Sequence, residues 1–84
     1  MSRLDPQAVL GVVVGIVARV TNRPQPEVAM ETLLYDVDGL DSLRLLETVA
    51  LAEEALGVVV DTGGLGQLET VGDIVRLLVT AREG

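Results

Sequence analysis

The segment Ser42–Leu56 constrains the fold most. It is apolar-periodic throughout and is bounded by Asp41 on one side and Gly57 on the other. With Leu45 at the centre of one face, Val49, Ala52 and Leu56 follow at helical spacing, so the segment predicts a helix with a core stripe. Gly57 ends it as a C-cap glycine. Leu43, Leu46 and Ala50 do not share that stripe; they lie about 100 to 160° around the helix. Glu47, Glu53 and Glu54 surround this second apolar face. A helix of this kind packs against other helices along one stripe. Its other face either meets a partner or lies under a loop, and both readings stand at this point.

The flanking segments supply the remaining helices. Asp5-Pro6 is a helix start, with aspartate as N-cap and proline in the first turn. Val9, Val13, Ile16, Val17 and Val20 then recur at helical spacing up to Thr21-Asn22. The run Val12-Val13-Val14 could alternatively form a buried strand, but the length and capping of the segment favour helix. Gly11 and Gly15 stand four apart; in a run too short to span a bilayer they read as close packing or as having no role. Asn22 to Asp41 is a long connection in which Pro24 and Pro26 prevent a regular helix, and Glu27 to Thr32 has room for one helical turn. Leu33, Leu34 and Tyr35 are expected to anchor it to the core. Val58-Val59-Val60 is expected as an extended loop, since no second strand is evident to pair with it. Leu65 and Leu68 can close a short turn in a glycine-rich stretch. Thr70 opens the last helix with Asp73 as a capping-box partner, and Val71, Ile74, Val75, Leu77 and Leu78 form its apolar face. Arg76 and Arg82 are assigned to its C-terminal half, and Glu83-Gly84 is expected to fray.

Composition then excludes whole classes of function. Of the 84 residues 49% are hydrophobic, almost all aliphatic, and Tyr35 is the one aromatic residue, which suits packed helices better than a base-stacking surface. Cysteine and histidine are both absent. This removes disulfides, thiolate chemistry, Ser-His arrangements and most zinc sites, so a self-sufficient hydrolase is not expected. The net charge of -7 disfavours nucleic acid and anionic membranes, and favours protein partners with basic patches. No signal peptide is read at the N-terminus, so a cytoplasmic, monomeric protein is expected, formed as one domain over residues 1–84.

The chemistry concentrates at Asp41-Ser42-Leu43, where a polar loop meets a helix. A serine in a first helical turn is ordinarily a cap, but Asp41 competes for that role, and Leu45 rather than an acid follows Ser42 by three. A phosphoester on Ser42 would be favoured by the helix N-terminus, yet another enzyme would have to install it. A calcium loop fits poorly. Asp36, Asp38 and Glu47 take its first, third and twelfth places, but Leu40 and Asp41 take the fifth and sixth, where a ligand and a glycine are needed. No metal site is expected.

Gly39-Leu40-Asp41-Ser42-Leu43, followed by a helix with Glu47, Glu53 and Glu54, resembles the acyl carrier protein and peptidyl carrier protein superfamily. Val60-Asp61 and Leu68-Glu69-Thr70-Val71 fall where the family's turn and last helix start lie. The register from Ser42 to Leu78 needs no gap, and the likeness covers the whole chain. The resemblance implies an all-α, four-helix bundle, with three main helices, one short helix and a long loop between the first two. It implies a carrier rather than an enzyme, with 4′-phosphopantetheine attached to Ser42 by a separate phosphopantetheinyl transferase. The thiol that the chain lacks would then belong to the prosthetic group. It also implies that acyl-loading and chain-processing enzymes with basic patches dock on Asp41, Leu43, Arg44, Leu46, Glu47, Ala50, Glu53 and Glu54. The family's apolar position four before the serine is Asp38 here, and the often acidic position two after it is Arg44. The first departure implies that the loop enters the helix differently, with Val37 as its apolar residue, and the second points to a dedicated pathway, such as polyketide assembly, rather than general fatty-acid synthesis. Gly-Leu-Asp-Ser leans to an acyl carrier; an aminoacyl or peptidyl carrier of a nonribosomal-peptide pathway is the alternative.

Overall fold

The computed structural model describes residues 4–84. Three helices dominate: α1 (Pro6–Thr21), α2 (Ser42–Leu56) and α3 (Val71–Val79). The first two match the sequence-based bounds because their caps are explicit. Asp5 accepts the N–H of Gln7, and Asn22 closes α1 in the left-handed region at φ 56°, a conformation asparagine tolerates better than most residues. Gly57 closes α2 at φ 69°. Thr70 and Asp73 form the expected reciprocal capping box at the start of α3.

α1 packs against both α2 and α3, while α2 and α3 touch less. The core they enclose is aliphatic: Val9, Val13, Ile16 and Val17 from α1, Val49 and Ala52 from α2, and Val71, Ile74, Val75 and Leu78 from α3. Val20, Leu45, Leu56 and Leu77, all expected on the core-facing stripes, are only half-buried. Thr48, which the apolar pattern skips, is fully buried because its hydroxyl donates to the Arg44 carbonyl at 2.8 Å and so needs no water.

The connection from Asn22 to Asp41 has no α-helix, and the helical turn expected at Glu27–Thr32 is replaced by non-helical turns. Instead its backbone is tied to the start of α3. Val71 and Gly72 donate their N–H groups to the carbonyls of Thr32 and Met30 at 2.9 and 2.7 Å, and Leu34 donates to the Glu69 carbonyl at 2.8 Å. The N-terminal donors of α3, which have no intrahelical partner, thus hold the long connection in place. Gln25 adds a buried latch, donating to the Thr21 hydroxyl and the Asp38 carbonyl. A Cβ at Gly72 would lie 2.9 Å from the Met30 carbonyl oxygen. Gly72→Ala gains about 1 kcal/mol of helix propensity. It also forces backbone apart and loses a hydrogen bond, which together cost more. A net loss of about 1–2 kcal/mol is expected, read as a lower urea midpoint.

The structure corrects several expectations. Val58–Val59 is a strand, β1, paired antiparallel with Arg82–Glu83, β2. The C-terminus therefore does not fray, and Gly84 donates to the Gly57 carbonyl at 2.9 Å. Arg82 lies in β2, beyond the end of α3. The short fourth helix is a 3-10 segment, Thr62–Gln67, so the fold is mostly helical with a small two-stranded sheet. Tyr35 is 81% exposed and anchors nothing in the core; Leu34 and Val37 on either side do that.

Candidate functional site

The turn Val37-Asp38-Gly39-Leu40 delivers the chain to α2. Leu40 donates to the Val37 carbonyl at 3.2 Å, and Gly39 at the third position has φ 81°, which a side chain would strain. Val37 is buried and Asp38 faces solvent, where it pairs with Arg23 at 3.1 Å. The departure seen in the sequence at Asp38 is thus a one-residue shift of the apolar anchor to Val37.

Asp41 is the N-cap of α2. One carboxylate oxygen accepts the N–H of Arg44 at 2.8 Å, and the other accepts its guanidinium at 3.1 Å. The same guanidinium reaches across and donates through Nε to the Val20 carbonyl at 3.1 Å. Arg44 therefore ties the first turn of α2 to the last turn of α1. With Asp41 doing the capping, Ser42 is exposed in the first turn, and among the described residues no hydrogen bond engages its Oγ.

The backbone N–H of Arg44, with help from its guanidinium, lowers the pKa of Asp41. The N–H groups of Glu69 and Thr70, with Arg76, do the same for Asp73. A lowered folded value means the contribution is present in full above the ordinary 3.8 and is lost as pH falls through the lower folded values. Stability is expected to drop below about pH 4, and Asp73→Asn should drop less over that range. Urea midpoints measured across the acid limb check this.

Beside Ser42 lies an open groove of about 710 Å³. The long connection supplies one wall with Leu34, Tyr35 and Leu40, and α2 supplies another with Leu45 and Leu46. Leu65, Leu68 and Glu69 close the far side. On the outer face of α2, Leu43 is 66% and Leu46 49% exposed, so the long connection does not cover them. Ala50, Glu47 and Glu54 are exposed beside them. Glu53 is different: it is half-buried, and its carboxylate accepts the Val60 N–H at 2.6 Å, which fixes the exit from β1. The sequence-based site residues thus separate into an exposed face and two internal ties, Arg44 and Glu53. The groove has no signature in the sequence, because its walls come from three separate segments.

The family described as "Phosphopantetheine attachment site" matches residues 11–78. An acyl carrier protein of Acidothermus cellulolyticus is 32% identical over 78 residues, which is 93% of each chain. The chain belongs to the acyl carrier protein superfamily. It is a carrier rather than a catalyst, and its prosthetic group is 4′-phosphopantetheine. A carrier of this class works with a separate phosphopantetheinyl transferase and with biosynthetic enzymes. The residues present suit such a group, since an exposed hydroxyl stands at a helix N-terminus beside an apolar groove. Among the described residues no helix is long and apolar enough to cross a membrane.

Proposed function

We propose that Ser42 carries the phosphopantetheine and that the protein shuttles acyl thioesters between enzymes of polyketide or fatty acyl biosynthesis. One observation carries this most. Ser42 is the only serine between residues 11 and 78, the span matched by the phosphopantetheine family. Its exposure leaves it accessible to a transferase, and the partial positive charge at the start of α2 favours a phosphodiester there. The prosthetic group supplies the thiol to which acyl cargo is joined. Residues 1–84 form a single carrier domain, monomeric and cytoplasmic, with Thr62–Gln67 in the place of the short helix of a four-helix bundle. Partners with basic patches dock on Leu43, Leu46 and Ala50, steered by Glu47 and Glu54. Arg44 neutralises Asp41 at the serine end of this surface, so the attraction centres further along α2. Fragment-ion mapping after modification is expected to place the added group on Ser42, and any other position would overturn the assignment. Offering the modified protein malonyl-transferring and aminoacyl-adenylating enzymes then separates the pathways. Loading by the former supports an acyl carrier; loading by the latter alone would assign it to a nonribosomal-peptide pathway.

A further inference from the structure

The junction that carries Ser42 is gripped from both sides by one end of α1. On the loop side, Gln25 is only 8% exposed. Its side-chain nitrogen donates to the Thr21 hydroxyl at 3.2 Å and to the carbonyl of Asp38, in the turn ahead of Ser42, at 2.9 Å. Thr21 is buried as well, and its hydroxyl donates in turn to the Val17 carbonyl at 2.7 Å, within α1. On the helix side, the guanidinium of Arg44 donates to the Val20 carbonyl at 3.1 Å. The two ties thus end on neighbouring residues of the last turn of α1. The turn between them lies close too: a Cβ at Gly39 would come to 3.2 Å from the Thr21 Cβ and 3.1 Å from the Arg23 Nε.

The loop-side tie depends mainly on Gln25. From Asp38 through Ser42, Leu40 alone among the described residues donates a backbone–backbone hydrogen bond, to Val37 at 3.2 Å. The ion pair of Arg23 with Asp38 joins two exposed side chains and contributes little. The Gln25 amide is shielded from water, and removing it leaves the Asp38 carbonyl without its protein partner.

With no histidine or cysteine, the chain brings no ordinary general base to its own modification; its part is to dock and to present the hydroxyl. In the transfer a base of the transferase takes the Ser42 hydroxyl proton. Oγ then forms a bond to the phosphorus on the pantetheine side of coenzyme A, and the pyrophosphate bond breaks to release the adenosine half. The attacking oxygen has to stand roughly in line with the leaving oxygen, so a small displacement of the serine is costly. We propose that Gln25 is a positioning residue for the modification of Ser42, acting through the Asp38 carbonyl to hold the loop side of the junction against α1. The inference rests on the attachment at Ser42 proposed above. The latch takes in none of the exposed docking residues of α2, so its loss leaves encounter with the transferase intact.

Single-turnover modification tests this, with transferase in excess, coenzyme A saturating and the product followed by intact mass. Gln25→Met keeps the length of the side chain and removes its donors. Its maximal rate is expected to fall about tenfold, within the hundredfold or so that a misplaced reacting group costs, while the transferase concentration at half-maximal rate stays within about twofold of the wild type. Thr21→Val removes the hydroxyl that orients Gln25 and should lower the maximal rate in the same way, whereas Thr21→Ser keeps the hydroxyl and should retain the wild-type rate. Val58→Ala separates positioning from stability. Val58 is buried in β1 at the other end of α2, roughly 20 Å from Ser42 along the helix. Its loss should lower the urea midpoint and leave the maximal rate unchanged. A wild-type maximal rate in Gln25→Met or in Thr21→Val, once the urea midpoint shows that variant folded, would overturn this inference alone. So would a change confined to the half-saturating concentration, or an equal loss of rate in Val58→Ala. A wild type that gains no mass would overturn the Ser42 assignment, and this inference with it.

Discussion

Ile74→Ala is expected to lower stability by about 2–5 kcal/mol, the range for removing a buried branched side chain. Ile74 is 0% exposed and lies in the middle of α3, which packs against α1. Small domains sit near the low end of the usual 5–15 kcal/mol or so of folding stability, so the loss would be a large fraction of the total. It would also reach the site. The start of α3 holds the long connection through the Met30 and Thr32 carbonyls, and Leu34 is bonded to Glu69 just ahead of it. Loosening α3 therefore loosens the groove wall that carries Tyr35. The urea midpoint should fall sharply, whereas Val59→Ala, at a side chain 46% exposed, should change stability by no more than about 0.5 kcal/mol. A loss at Ile74 no larger than that at Val59 would contradict the core as described.

The second large effect concerns encounter with partners. Reversing charge at both Glu47 and Glu54 turns the exposed acidic rim of α2 basic, in a protein whose net charge is -7. The rate of modification by the transferase is expected to fall by roughly tenfold or more at low salt, within the range that electrostatic steering commands. The deficit should shrink as the Debye length contracts from about 10 Å at 0.1 M to about 3 Å at 1 M ionic strength. Glu53→Lys should behave differently. Its carboxylate holds the Val60 N–H, so the substitution should lower stability as well as rate. Unchanged rates for the Glu47 and Glu54 reversal at low salt would remove this face as the docking surface.

Much of this architecture is legible in the chain because it is locally encoded. Asp5-Pro6, Asp41, Gly57 and the Thr70–Asp73 pair each fix a helix end within a few residues, and the apolar stripes between them have one period. What the sequence hides depends on partners distant along the chain. β1 exists because Arg82–Glu83 returns to it, and a two-residue strand has no pattern of its own. Tyr35 reads as a core residue by hydrophobicity, but the turn that holds it is set by Glu69, far along the chain. Thr48 is buried through a bond to its own helix, which an apolar period passes over. The exposed position of Ser42 at the start of α2 is legible from the loop-to-helix junction, because Asp41 takes the cap. The groove beside it is not, because three separate segments build it.

Intact mass decides whether Ser42 bears the prosthetic group. The wild-type protein and Ser42→Ala would each be incubated with coenzyme A and a promiscuous phosphopantetheinyl transferase. The wild type is expected to gain one phosphopantetheine and the variant none, with both retaining the same urea midpoint because Asp41 caps α2. A wild type that gains no mass, or a variant that gains the same mass, would contradict attachment at Ser42.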